Sequence, residues 1–408
     1  MRSLGGLRAD RVVLAVALGV ALALAGVLAT AGAAGATDGS VVASPASAPI
    51  THLGAAAPAG SIVAVRPGRG PDSLWSIDPL TASATQLVAL PPSYRPSARP
   101  SCVAVSPGAV RLAYLTFTLG PTVTVYDTQT GALSTWSLAA RGVKYVDSLA
   151  WASSTRLLVA GRAGHRLSFF PVSDRIYSLN AVTGASHLFA GLSGTEPTVA
   201  PAVARLVYVH LRISGPVPRR YLPSWNRGAH WVVERLYSLR LVNGAKPRLI
   251  ASARYISGPF VRRFQDPQLS PDGAYLMTLA DDLPNLNPHY TVRSAVSGKA
   301  RTTIALYSSD LLPTWSSRGD QVAFAGTQLD DRSRSVTLFV CSAPTRAMHH
   351  SAALDSTSAT GLGWSSDGGS LAYSLQGRGE AEELFTVDPA TLSLSTDLGS
   401  GSLPVFMP

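Results

Sequence analysis

The sequence predicts an all-β fold: a seven-bladed β-propeller of four-stranded antiparallel blades, closed by the C-terminal strand and preceded by an N-terminal apolar export or anchor helix. Three observations carry this prediction. A hairpin motif recurs at a near-constant spacing, an alternating strand appears seven times, and the C-terminus matches an opening strand that the first repeat lacks. Composition agrees, since 46% of the 408 residues are hydrophobic and only 14% charged, with 36 Gly and 29 Pro. That balance suits a turn-rich β protein with a large core and excludes a disordered chain. A single apolar run, starting at Val12, is long enough to span a bilayer, so a polytopic membrane protein is excluded as well.

The hairpin motif is an apolar strand, a Ser/Pro/Asp/Gly turn and a second apolar strand. Its clear copies are Val103-Ala104-Val105-Ser106-Pro107-Gly108, Gln268-Leu269-Ser270-Pro271-Asp272-Gly273, Thr314-Trp315-Ser316-Ser317-Arg318-Gly319 and Gly363-Trp364-Ser365-Ser366-Asp367-Gly368. Weaker copies run through Trp151-Ala152 and Val199-Ala200. Pro presets φ, Asp or Ser hydrogen-bonds its own backbone, and Gly accepts the positive φ that closes the turn. The anchors at 106, 152, 200, 270, 316 and 365 are separated by 46, 48, 70, 46 and 49 residues, so the fourth unit alone is about 22 residues too long.

A strand of alternating apolar and polar residues follows each hairpin, as in Leu74–Asp78, Val123–Asp127, Ile176–Asn180, Leu236–Arg240, Tyr290–Val292, Leu338–Val340 and Leu384–Asp388. Each turns into a fourth, weaker strand, which gives four strands per 46 to 50 residues and seven blades. Ser61–Val65 aligns with a second strand, and Leu403–Pro408 aligns with a leading strand. The last residues are therefore expected to form the innermost strand of blade one and close the ring.

At these turns the sequence resembles the TolB-like, or PD40, family of WD40-like β-propeller repeats, whose W/F-S-P-D-G turn precedes an I/L-A-F/Y strand. The resemblance covers about residues 61–408. The Gly-His and Trp-Asp pairs of true WD40 repeats are absent. TolB carries a small α/β domain ahead of six blades, whereas seven are counted here and the 24 residues Thr37–Gly60 are too few for such a domain, so a TolB-type translocation role is not implied. Prolyl-oligopeptidase-like enzymes carry a related propeller beside an α/β-hydrolase domain, which these residues do not contain. The resemblance implies a binding or scaffolding platform.

Upstream, Arg2, Arg8 and Arg11 precede an uncharged stretch from Val12 to Ala36. This is a signal peptide or an N-terminal membrane anchor, residues 1–36. Ala-Gly-Ala at 31–33 or 34–36 offers a cleavage site, and Val12–Ala29 approaches the length of a span. The next basic residue is Arg66, so charge asymmetry puts everything downstream outside the cytoplasm, secreted or membrane-anchored. Thr37–Gly60 reads as an Ala/Gly/Ser/Pro linker, and 61–408 as the propeller. Cys102 and Cys341 fall in blades two and six, too far apart round the ring for a disulfide, and are expected to be free buried thiols.

No catalytic motif is present: there is no G-x-S-x-G, H-E-x-x-H, C-x-x-C or phosphate loop, and no cofactor site is expected. His349-His350 would face opposite sides of a strand and is not expected to bind metal. Asp281-Asp282 with Asn285 and Asn287 lacks the Gly and distal Glu of a calcium loop and reads as a polar loop. Asp78, Asp127 and Asp388 recur before turns and read as backbone caps. Trp151, Trp315 and Trp364 share one repeat position and read as inter-blade core.

The distinctive feature is the long fourth unit. Its loop, 212–234, interleaves Arg212, Arg219, Arg220 and Arg227 with Tyr221, Trp225, His230 and Trp231, and Arg254, Arg262 and Arg263 follow. From Arg205 to Arg263 the local net charge is +11, whereas the rest of the chain after Ala36 carries about −3. Loops joining second to third strands and fourth strands to the next blade emerge on one face, which is expected to be cationic. Arg beside Trp and Tyr suits phosphate, carboxylate and sugar contacts. The sequence therefore points to a monomeric, non-catalytic module that binds a protein or an anionic envelope component through a basic face, with membrane contact through the N-terminal segment if it stays uncleaved. Nucleic acid is not expected outside the cytoplasm. The alternative is a polysaccharide lyase or hydrolase acting in the central depression, which would need carboxylates, His or Tyr around the channel mouth.

Overall fold

The computed structural model describes residues 50–408 apart from 68–70, 91–102, 117–121, 163–173, 219–228, 257–261, 283–286, 306–307, 310–312, 328–334, 355, 357, 377–381 and 394. The described residues form seven antiparallel sheets, the blades of a β-propeller. Blade three is typical. Tyr145–Trp151, Arg156–Arg162, Arg175–Asn180 and Ser186–Ser193 lie in order from axis to rim. Blade one is completed by the end of the chain, because Ser402–Phe406 pairs antiparallel with Ile62–Arg66, with Ile62 opposite Phe406 and Val63 opposite Val405. The ring closes as the sequence predicts, with blade one packed on blade seven and on blade two.

The local chemistry behind the repeat is visible at each turn. The anchor serines bridge the first hairpin: Ser106, Ser270, Ser316 and Ser365 Oγ accept the backbone N–H five residues on, at 2.8, 2.9, 3.2 and 2.8 Å. Ser270 and Ser365 also donate to Asp272 and Asp367, which fixes the turn carboxylate. The recurring residues after the third strand cap their turns as expected. Asp78, Asp127, Asn180 and Asp388 Oδ1 accept backbone N–H groups two residues on.

Packing follows the two-residue period of a strand. Ile62 and Ala64 face blade seven, while Val63 and Val65 face blade two; Leu206 and Tyr208 face blade three, while Val207 and Val209 face blade five. The core is thus seven apolar clusters, one at each blade junction. Three tryptophans add a directional clamp near the axis. Trp151, Trp315 and Trp364 Nε1 donate to the carbonyls of Ala104, Gln268 and Thr314 on the preceding blade, at 3.0, 2.9 and 3.0 Å.

Cys341 is a free, buried thiol as expected, and burial pushes its pKa up. Cys102 lies outside the described residues. His349 and His350 sit in the exposed outer strand Met348–His350. The stretch read as a linker does more than connect. Ile50–Leu53 adds a fifth, outermost strand to blade two against Ala132–Ser137. Gly54, Ala55 and Ala57 N–H then bond to Gly131, Leu87 and Thr128 carbonyls across blades one and two. The chain divides into Met1–Pro45, which lies outside the described residues, and the propeller unit Ala46–Pro408.

Candidate functional site

The extra length of blade four is β-structure. The sequence reads 212–234 as a loop, but the second and third strands simply continue, Arg205–Pro216 against His230–Arg240, and the fourth strand Arg248–Ile256 pairs along the third. The result is a three-stranded ribbon extending the blade. Alternation gives its two faces opposite characters. Leu211, Val232, Tyr255 and the fully buried Glu234 turn to blade five, where the Phe264 backbone N–H donates to Glu234 Oε2 at 3.3 Å.

The other face carries Arg212, Arg235, Arg254, His210 and Trp231. Arg212, Val233 and Arg254 stand opposite one another across the three strands, as do His210, Arg235 and Ser252. The Arg254 guanidinium lies over the Trp231 ring, 4.5 Å from its centroid, a cation–π contact that holds the charge outward on a rigid apolar plate. Burial, with Arg235 and Arg212 beside it, holds the His210 pKa below its ordinary value. No carboxylate lies on this face among the described residues, because Glu234, the ribbon's one acid, points the other way.

Of the residues predicted from sequence, the structure brings together Arg212, Trp231 and Arg254, with His230 at the ribbon's far end opposite Pro216. Arg219, Arg220, Tyr221, Trp225 and Arg227 lie outside the described residues. Arg262 and Arg263 begin the innermost strand of blade five, Arg262–Leu269. Arg235 and His210 were missed; the signal that finds them is the period-two alternation of 205–216 and 230–240 once both are read as strands.

The mouth of the central channel is different in charge. The channel is a cavity of about 500 Å³ lined by the innermost strands, and its charged lining residues are Glu196 and Asp266. Both sit at β-bulges just before a proline, in left-handed backbone (φ 52° and 46°), and the Asp266 N–H donates to Glu196 Oε2 at 2.9 Å. Next to them Asp147, at the corresponding bulge of blade three, pairs with Arg162 at 3.1 Å. Asp174, 1% exposed, faces Asp147, and neither of its carboxylate oxygens meets a donor. Burial, then the proton-sharing contact with Asp147, pushes the Asp174 pKa far above the carboxylate range. Two arginines at the ends of second strands are committed to the fold: Arg162 to Asp147, and Arg66 to the Ser400 carbonyl and the Trp75 ring. The charged residues that line the axis are thus acidic, whereas the ribbon face of blade four carries three guanidiniums. Among the described residues no group of three or more His, Cys, Asp or Glu converges as metal ligands would.

No family model matches the chain, and no curated protein sequence matches it. Solved structures match it as folds. They include a prolyl endopeptidase (12% identity, 87% of this chain and 50% of that one, TM-score 0.53) and an oligogalacturonate lyase in complex with manganese (12%, 84% and 96%, 0.51). TolB from Acinetobacter baumannii is a more distant likeness (13%, 85% and 82%, 0.44). At these identities the shared property is the β-propeller itself, a class that holds both enzymes and non-enzymes.

Proposed function

We propose that the protein is a non-catalytic, extracytoplasmic binding module of TolB-like repeat type, which takes an anionic envelope component or acidic protein partner on the ribbon of blade four. The observation that carries this is the segregation on the ribbon. Three guanidiniums, one stacked on an indole, share a face from which the only carboxylate has been turned away. Such a face recognises a row of phosphates or carboxylates, and the aromatic plate adds contact with a sugar or acyl surface. The uncharged segment after Arg11 would place the propeller outside the cytoplasm as a secreted or anchored protein.

The channel supports a second reading, a lyase or hydrolase acting on a polysaccharide, because it is a cavity of about 500 Å³ that holds Glu196 and Asp266. Of the two carboxylates that line it, Glu196 already accepts the Asp266 backbone N–H, whereas Arg212 and Arg254 on the ribbon are exposed. The binding reading is therefore preferred. Immobilised polygalacturonate, anionic phospholipid vesicles and polyglutamate should each be tested for retention of the protein, beside neutral dextran. Arg212→Gln with Arg254→Gln should sharply weaken retention on the phase that holds the wild type. Equal retention of the double variant would refute the ribbon as the site. Turnover of polygalacturonate that is lost in Glu196→Gln would establish the second reading instead.

A further inference from the structure

Counting back five residues from the left-handed residue that ends each blade's third-strand turn gives Ile77, Tyr126, Leu179, Leu239, Arg293, Cys341 and Val387. Six of these are between 0 and 4% exposed and pack on the preceding blade. Only blade five places a charge there. Arg293 stands on the strand Asn287–Ser294, on the side that faces blade four. Its guanidinium lies over the Phe264 ring at 5.4 Å, and Nη1 reaches the Gly298 carbonyl at a long 3.5 Å. Its Nε is buried with no hydrogen-bond partner, and it makes no ion pair among the described residues. Burial lowers its pKa, yet an arginine keeps its proton.

A half-sealed cation without a counter-charge is costly, so its retention at a core position calls for a partner. The surroundings supply room for one. Arg293 lines an open cavity of about 470 Å³ between blades four and five, together with His289, Lys299 and Ser297, and no carboxylate is among the lining residues. Gly298 keeps the turn pressed on blade four, since a Cβ there would lie 1.7 Å from the Ile250 carbonyl oxygen.

We infer that this cleft is a binding site for a single oxyanion group, a phosphate, sulfate or carboxylate, with Arg293 as the principal donor and Lys299 and His289 at its rim. Arg293 presents forked N–H groups that match such an anion, Lys299 adds a mobile charge, and Ser297 offers a hydroxyl donor. The site is independent of the proposed ribbon face, which lies on the opposite, blade-three side of blade four.

The full chain should be titrated with inorganic phosphate, sulfate and glucuronate at constant ionic strength, with binding followed by calorimetry and by the melting temperature. At least one anion should bind saturably, and which one identifies the source of the oxyanion: phosphate or sulfate for an ester group, glucuronate for a uronate. Arg293→Leu restores the residue type of the other blades, so it should fold and lose affinity by about tenfold or more. Lys299→Gln, at the exposed rim, should weaken binding several-fold without touching the core, and it serves as the readout should Arg293→Leu not fold. Arg212→Gln with Arg254→Gln should leave anion binding unchanged, which separates this site from the ribbon. Absence of saturable binding by all three anions, or wild-type affinity in either cleft variant, would overturn the inference.

Discussion

Asp174 gives a quantitative prediction about the blade three and four junction. Its carboxyl is sealed from water beside Asp147, and neither oxygen accepts a hydrogen bond among the described residues, so in the folded protein it keeps its proton well above the carboxylate range. In the unfolded chain it ionises near pH 4. Between that pH and the raised folded value the native state holds one more proton than the unfolded state. The sign is therefore that stability falls as pH rises, by about 1.4 kcal/mol per pH unit. Asp174→Asn keeps the shape, can donate to Asp147 and carries no proton to lose. Urea unfolding of wild type and variant at pH 5 and pH 8 should show the variant gaining about 4 kcal/mol on the wild type across those three units. The comparison cancels other titrations, including the depressed His210, which costs stability as pH falls below the ordinary histidine range. Parallel wild-type and variant profiles would mean that Asp174 is ionised in the fold and would refute this account. Asp147→Asn should also reduce the slope, because it removes the neighbouring carboxyl and frees Arg162 to face an ionised Asp174, while the burial of Asp174 remains.

Removal of Leu403–Pro408 deletes the strand that completes blade one, with Leu403, Val405 and Met407 of its core; thermal unfolding should show a large loss of stability, and an unchanged melting curve would contradict ring closure. Trp315→Phe keeps the packing but loses the bond to the Gln268 carbonyl, so urea unfolding should show a loss of about 1 to 2 kcal/mol. Gly184→Ala should cost about 2 kcal/mol or more by the same assay, because φ is +71° and the new Cβ would lie 2.0 Å from the Trp136 ring of blade two.

The parts of the fold that were legible in the sequence are those that local chemistry dictates. Ser106, Ser270, Ser316 and Ser365 announce the hairpin because one side chain bridges each turn, and Trp151, Trp315 and Trp364 recur because each clamps the preceding blade. What was hidden depends on contacts distant in sequence. Ile50–Leu53 is a strand because the edge of blade two offers it partners, and its own residues give little sign of this. The ribbon was read as a loop since Pro216, Gly215 and the basic run obscure the alternation that carries the strands outward. The acidic mouth was missed in part because Asp147, Glu196 and Asp266 sit at bulges, where the two-residue period breaks. Arg293 was legible all along as the one charge in a column of core residues, but only after the turn residue of every blade had been fixed.

The central claim is that the ribbon of blade four binds an anionic partner, and its salt dependence tests that most directly. Affinity for the anionic phase that retains the wild type should be measured between 50 and 200 mM salt. Three guanidiniums engaged with anionic groups predict a weakening of about tenfold or more over that range, and a much flatter slope for Arg212→Gln with Arg254→Gln. Wild-type binding that does not change with salt would contradict the account.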